Sequence, residues 1–249
     1  MSDSPSIRET SVVEQFGGRR VNLEVAGRPG FVLTPHDRAS DAPASWMWYA
    51  PHFDGVMPRD PLHKWICTRL LDAGMAIAGV DVGESYGSPE GRRIYTEFHR
   101  ALVGAYHLAG RARLLAQSRG GLMHYNWAVE HPSCVERIAA IYPVCNLADW
   151  PGAEKAAPAY GLTPEQMQAQ LSQHNPIERL APLAAANIPI LHLHGDCDSV
   201  IPLEKHSGEF ARRYQALGGP IELVVIPGAE HEEIDAFFTS QKLVDFLTQ

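Results

Sequence analysis

An α/β fold, a mostly parallel central sheet with helices on both faces, is what this sequence predicts. Three observations carry it. Short strands that are apolar from end to end, such as Trp46–Ala50 and Ala76–Val80, alternate with helical segments, and a strand apolar on both sides has to be covered on both faces. The chain has 249 residues, 45% of them apolar, enough for one large core. Finally, an apolar strand runs into the turn Gln117-Ser118-Arg119-Gly120-Gly121 and then into a helix, the strand-end position at which open parallel sheets place ligands.

The elements follow in order. Val12–Phe16, Val21–Val25 and Phe31–Thr34 are strand-like, and the turns Gly17-Gly18 and Gly27-Arg28-Pro29-Gly30 join them into an antiparallel meander. The rhythm then changes to alternation. Strand Trp46–Ala50 precedes helix Leu62–Leu71, and strand Ala76–Val80 precedes helix Gly91–His107, whose apolar face is Ile94, Phe98, Leu102 and Ala105. Strand Arg113–Ala116 leads to helix Gly120–Glu130, and Arg137–Pro143 and Ile188–His194 are further strands. Helix Leu203–Leu217, strand Ile221–Ile226 and a closing helix Ile234–Leu247 complete one domain over residues 1–249. About forty residues separate Pro143 from Ile188, more than a crossover helix needs. Residues 147–174, with Trp150, Tyr160, Met167 and a helical piece from Pro164 to Ser172, read either as a decorated crossover or as a small lid over the sheet's carboxyl edge.

Composition excludes several classes. A formal charge of −8 argues against a nucleic-acid or anionic-membrane surface. No apolar run reaches the length of a membrane span, and Met1–Thr10 has no apolar signal-like core. The four cysteines, Cys67, Cys134, Cys145 and Cys197, form no C-x-x-C pair and read as free thiols of a reducing, cytoplasmic compartment. Gly83, Gly87 and Gly91 are spaced four apart and make no dinucleotide fingerprint. His192-x-His194-x-Asp196 resembles the start of a metal-ligand set, but Cys197 stands where a further histidine is needed. No metal and no cofactor is expected, and no feature sets an oligomeric state.

Three segments carry chemistry. Ala116-x-Ser118-x-Gly120 differs by one methyl group from the G-x-S-x-G elbow, in which small residues let strand and helix backbones nearly touch. The alternative is a serine that merely caps the helix. His194-Gly195-Asp196-Cys197-Asp198-Ser199-Val200-Ile201-Pro202 follows a strand and resembles the HGxxDxxVP turn that presents an acid; Asp198 matches the acid and Asp196 a variable position. Pro227-Gly228-Ala229-Glu230-His231 follows the last strand and resembles a histidine-bearing loop. With these segments in this order, the chain resembles the α/β-hydrolase superfamily of serine hydrolases, over about Val12 to Leu247. Asn175-Pro176-Ile177 and the acid turn bring it nearest to the prolyl-oligopeptidase-like and dienelactone-hydrolase-like branch, here without a propeller and with serine, not cysteine, at the elbow.

The resemblance implies a Ser118, Asp198, His231 triad working through an acyl-enzyme. It implies an oxyanion hole from the Arg119 N–H and a second donor at His52 or Phe53, after the Trp46–Ala50 strand. Asp81 to Ser88 looks like the family's D-x-x-G-x-G-x-S turn; Glu84 and Tyr86 depart from it and are candidate substrate contacts, while Ser85 and Ser88 read equally as turn caps. The Arg119 side chain is either a substrate contact or one half of an ion pair with a nearby carboxylate. Trp150 is the candidate contact from the lid. The favoured substrate is a small-molecule carboxylic ester. A small peptide or amide, or a carbohydrate ester, is the alternative, and a catalytically silent ligand-binding scaffold is the reading from another class.

Overall fold

A computed structural model describes residues 7–37, 42–50 and 57–249. The meander is β1 (Ile7–Gln15), β2 (Gly18–Val25) and β3 (Arg28–Pro35). It is followed by β4 (Trp46–Ala50), β5 (Ala76–Val80), β6 (Ala112–Gln117), β7 (Val135–Ile141), β8 (Ile190–Gly195) and β9 (Ile221–Ile226). The described residues form one nine-stranded sheet in the order β1-β2-β3-β5-β4-β6-β7-β8-β9. β1, β2, β3 and β5 pair antiparallel; from β5 through β9 every pairing is parallel. The expected mostly parallel α/β sheet is therefore present.

The sheet is covered on both faces because its central strands send alternate side chains into two cores. In β4, Trp46 and Trp48 enter one core with Leu114, Ile138 and Ile190, while Met47 and Tyr49 enter the other with Leu115, Ile141 and Leu193. The first core is roofed by α2 (Pro89–Ala105), α3 (Gly120–Ala128), α7 (Ala181–Ala185) and α8 (Ser207–Ala216). The second is closed by α1 (Lys64–Asp72), α9 (Asp235–Phe238) and α10 (Gln241–Thr248). All nine residues of α3 are buried, as an apolar helix packed on every side must be.

Several boundaries differ from the sequence expectation, each for a local reason. β7 stops at Ile141, since Tyr142 takes a φ of 35° and turns the chain before Pro143. The closing helix is two helices: Ser240 is extended, and its Oγ accepts from Leu243 N, starting α10 anew. Leu203–Lys205 is a 3₁₀ turn, and α8 begins only at Ser207. The piece from Pro164 to Ser172 is likewise divided, into α5 (Pro164–Ala169) and α6 (Leu171–His174), and α4 (Ala153–Tyr160) precedes it. α4 carries Pro158 inside it, which hides it from a propensity reading. A capping box between Thr163 and Gln166 starts α5.

The segment from Leu147 to His174 packs on the carboxyl side of the sheet. Leu147, Ala156, Ala157 and Met167 are buried against Tyr86 after β5, Leu122 of α3 and Ile201 after β8. Its two ends are pinned together: Asn175 Oδ1 accepts from Leu147 N at 2.9 Å, and Asn175 Nδ2 donates to Asn146 Oδ1 at 3.0 Å. That accounts for the buried asparagine of the Asn175-Pro176-Ile177 motif.

Candidate active site

Ser118 sits on the turn between β6 and α3 with φ 49°, a left-handed conformation that costs a non-glycine residue on the order of 1–2 kcal/mol. Neighbouring backbone holds it there. Ser118 N donates to Ile141 O at 3.0 Å, and Val144 N and Gly121 N donate to Ser118 O at 2.8 and 3.0 Å. Small residues are required as expected: a Cβ on Gly120 would stand 2.4 Å from the carbonyl oxygen of Ala50, at the end of β4. The hydroxyl is not exposed in the turn; Ser118 retains 5% of its accessible surface.

Asp198 and His231 reach the same point from the ends of β8 and β9. Ser118 Oγ lies 2.8 Å from His231 Nε2, and His231 Nδ1 lies 2.8 Å from Asp198 Oδ2. Asp198 Oδ1 accepts from Val200 N at 3.0 Å and Ile201 N at 2.7 Å. Burial alone would raise its pKa, but the donors from His194, His231 and Ile201 outweigh burial and hold the carboxyl well below the usual range. Asp196 does something else: its Oδ1 accepts from Gly228 N at 2.6 Å and ties the acid turn to the histidine loop. Cys197 between them is exposed, not the packing residue its size suggests, whereas Cys145 is buried. The imidazole of His231 packs on the ring of Tyr142, 4.4 Å between centroids.

The two loops are held together by close backbone contact. A Cβ on Gly195 would stand 2.1 Å from Ala229 O, on the histidine loop. Gly195→Ala is therefore expected to force the acid turn and histidine loop apart. Overpacking of this kind costs about 1–3 kcal/mol, so a thermal melt should show Tm lowered by several degrees; an unchanged Tm would mean that the contact relaxes freely.

Around this triple the structure places the other predicted residues. Glu84 and Tyr86 lie on the turn after β5, whose serines act as caps: Ser88 Oγ accepts from Gly91 N at the start of α2, and Ser85 Oγ from Gly87 N. Arg119 Nη1 forms an ion pair with Glu84 Oε2, and its guanidinium lies 5.4 Å from the ring of Trp150. Trp150 in turn meets Tyr86 edge-on at 5.9 Å. Glu84, Tyr86, Arg119 and Trp150 thus form one connected group, in which Arg119, next to Ser118 in the chain, is paired to Glu84. Glu84 Oε1 is buried and has no hydrogen-bond partner among the described residues. His52 and Phe53 lie outside the described residues.

Sequence reading missed a polar cluster beneath Ser118. Tyr49 Oη donates to Gln117 Oε1 at 2.8 Å, and Gln117 Nε2 donates to Tyr142 Oη at 2.9 Å. The one available signal was a glutamine directly after the apolar run Leu114–Ala116. His192 and His194 are fully buried and hydrogen-bonded within the protein, and among the described residues no His, Cys, Asp or Glu cluster is arranged to hold a metal ion. No helix among the described residues is long and apolar enough to cross a membrane.

Comparison with known proteins agrees with this architecture. S-formylglutathione hydrolase from Agrobacterium tumefaciens superposes with a TM-score of 0.73 at 16% identity, covering 96% of this chain and 96% of that one. Dipeptidyl peptidase 4 from Porphyromonas gingivalis gives 0.71 at 13% identity, over 98% of this chain but only 35% of the peptidase, so the chain spans about a third of its length. A truncated carbohydrate esterase from gut microbiota gives 0.67 at 15% identity, over 100% of this chain and 97% of the esterase. At these identities the likeness is one of fold. No curated protein matches by sequence. The model of the prolyl oligopeptidase family matches residues 98–248, the stretch that holds the elbow, the acid turn and the histidine loop. By that match and by its sheet, the chain belongs to the prolyl oligopeptidase family, within the α/β-hydrolase superfamily of serine hydrolases.

Proposed function

We propose that this chain is a serine hydrolase that cleaves a small-molecule carboxylic ester through an acyl-enzyme, with Ser118, His231 and Asp198 as its triad. One observation carries the reading: the unbroken hydrogen-bond chain from Ser118 Oγ through both nitrogens of His231 to Asp198 Oδ2. A serine hydroxyl is a weak nucleophile at neutral pH and needs a base within hydrogen-bond reach. His231 Nε2 takes the Ser118 proton as Oγ attacks the carbonyl carbon, and returns it to the departing alkoxide. Asp198 accepts from Nδ1–H, holding the ring in the tautomer that leaves Nε2 free to accept, and stabilises the imidazolium that forms. A water then attacks the acyl-enzyme by the reverse use of the same base. The Arg119 N–H, first in the helix-starting turn, is one oxyanion donor, and the chain after β4, where His52 and Phe53 fall, supplies the second. The Leu147–His174 segment acts as a small lid, with Trp150 facing the substrate.

Ester cleavage is favoured because a departing alcohol needs less assistance than an amine. Membership in the prolyl oligopeptidase family supports the second reading, a small peptide or amide. Labelling with a fluorophosphonate followed by mass spectrometry of the Ser118 peptide tests the enzyme. Covalent capture at Ser118 is expected, and no capture in folded protein would favour a silent scaffold. A panel of p-nitrophenyl acyl esters, sugar acetates, lactones and aminoacyl anilides then separates the substrate classes.

The Arg119–Glu84 pair next to Ser118 supports a polar substrate with a hydrogen-bond donor near its carbonyl. Glu84→Gln is expected to raise KM about tenfold for an ester bearing a hydroxyl or ammonium near the carbonyl, the worth of a charge-assisted hydrogen bond. It should leave p-nitrophenyl acetate, which has no donor, within about twofold. Equal losses on both substrates would assign Glu84 to holding Arg119 alone.

A further inference from the structure

His192 and His194 share one face of β8 with a spacing that suits a metal, yet their four ring nitrogens are all engaged inside the protein. His192 Nε2 lies 2.6 Å from Tyr125 Oη, and His192 Nδ1 2.9 Å from Ser207 Oγ. His194 Nδ1 lies 2.8 Å from the same Ser207 Oγ. His194 Nε2 lies 2.8 Å from Ile201 O and 3.2 Å from Asp198 Oδ2. Both histidines and Ser207 are fully buried, and Asp198 is the carboxylate that holds His231. Five elements contribute: α3, β8, the turn after it, α8 and the histidine loop.

The proton positions along this chain follow from its ends. Ile201 O and the ionised Asp198 carboxylate are acceptors only, so His194 Nε2 must carry a proton and donate to both. In a neutral ring Nδ1 is then an acceptor, so Ser207 O–H donates to it. Ser207 Oγ, having spent its proton, accepts from His192 Nδ1–H. His192 Nε2 is left as an acceptor, which Tyr125 O–H satisfies. Every donor meets an acceptor, and the direction runs one way from Tyr125 to Asp198. The reversed arrangement, with a cationic His194, would turn Ser207 toward His192 and point His192 Nε2–H at Tyr125 Oη. The tyrosine proton would then have no acceptor among the described residues. Burial holds His192 neutral, with its pKa pushed down to about 3, and the proximity of His194 adds to this.

We propose that Tyr125, His192 and Ser207 form a directed hydrogen-bond relay that fixes the tautomer of His194 and makes it a second imidazole donor to Asp198, so that His192, His194 and Ser207 are positioning residues for the triad. With His231 and two backbone N–H groups hydrogen-bonded to it and His194 Nε2 3.2 Å from Oδ2, the carboxylate is held on both oxygens and has no freedom to rotate. Were His194 to carry its proton on Nδ1, a bare Nε2 would face two acceptors and the ring would have to leave Asp198. Ser207 prevents this without touching substrate or triad. The inference uses the reading of Asp198 as triad acid, but the proton positions can be measured without any activity.

The experiment is long-range ¹⁵N–¹H correlation spectroscopy on the full chain with ¹⁵N-labelled histidine, at neutral pH. Wild-type protein is expected to show His194 protonated at Nε2 alone and His192 protonated at Nδ1 alone. A cationic His194, or the opposite tautomer at either ring, would overturn the relay, and this measurement depends on no variant. In Ser207→Ala, His194 should lose its single tautomer, and kcat on a p-nitrophenyl ester should fall about tenfold with KM unchanged. His194→Gln, which places an amide N–H near the position of Nε2, should retain more activity than His194→Leu. A Ser207→Ala protein with lowered Tm but unaltered His194 spectrum and kcat would make Ser207 purely structural and sink the proposal. If the spectra fit while Ser118→Ala keeps full activity, the relay stands and the hydrolase mechanism falls.

Discussion

Ser118→Ala is expected to lower kcat by about 10⁴-fold or more while leaving the protein folded. Alanine keeps the Cβ, so the strained turn at φ 49° and its backbone hydrogen bonds are unaltered, and only the hydroxyl on His231 is lost. Asp198→Asn should cost a comparable factor, about 10⁴, because an amide that donates toward Nδ1 favours the wrong imidazole tautomer. Asp196→Asn is the control. It weakens one hydrogen bond, to Gly228 N, and so should have a small effect on kcat and a modest one on Tm. Steady-state kinetics on the best ester, with melts of all three variants, decide the matter. If Asp196→Asn proved the more damaging acid variant, the acid would be misassigned; full activity in Ser118→Ala would remove the triad altogether.

The second large effect is acid unfolding that starts at unusually mild pH. Burial pushes the pKa of His63 and His206 down to about 4, and that of His124 and His192 down to about 3. An unfolded histidine titrates near 6.5. Below that pH the unfolded chain binds protons that the folded protein refuses, so stability falls as pH falls, from about 6.5 down to the folded values. At pH 5 each of these histidines costs about 2 kcal/mol, and four together rival the 5–15 kcal/mol that holds a typical domain. Asp198, with its lowered pKa, adds a loss only at more acidic pH, below its unfolded value near 3.9. Urea unfolding should therefore show stability roughly level from pH 7.5 to 8.5 and dropping steeply between pH 6.5 and 5. His124 is the clean probe, because neither ring nitrogen has a hydrogen-bond partner among the described residues. His124→Leu should flatten the slope by about 2 kcal/mol at pH 5. A stability curve level down to pH 5 would contradict the premise that these rings stay neutral in the fold.

The segments that local chemistry dictates were legible in the chain. Apolar runs such as Trp46–Ala50 and Ala76–Val80 became strands at those residues, because a strand buried on both faces leaves a continuous apolar signature. Gly120 stood out because backbones can approach so closely only where there is no Cβ, and Gly195 shows the same close approach in the fold. The order of Ser118, Asp198 and His231 followed from the same turns, each just past a strand end. Other features depended on partners distant in sequence. Arg119 and Glu84 are neighbours only because the turns after β5 and β6 lie side by side at the carboxyl edge. Ile234–Leu247 read as one helix, yet Ser240 breaks it by accepting from a backbone N–H, a choice that apolar periodicity does not reveal. His192 and His194 show the limit most plainly. An i, i+2 pair of histidines on a strand faces one side whether it binds a metal or a hydroxyl, so spacing alone leaves the chemistry open. Tyr125 from α3 and Ser207 from α8 decided it, because a buried imidazole takes its proton state from whatever donor or acceptor the fold packs against it.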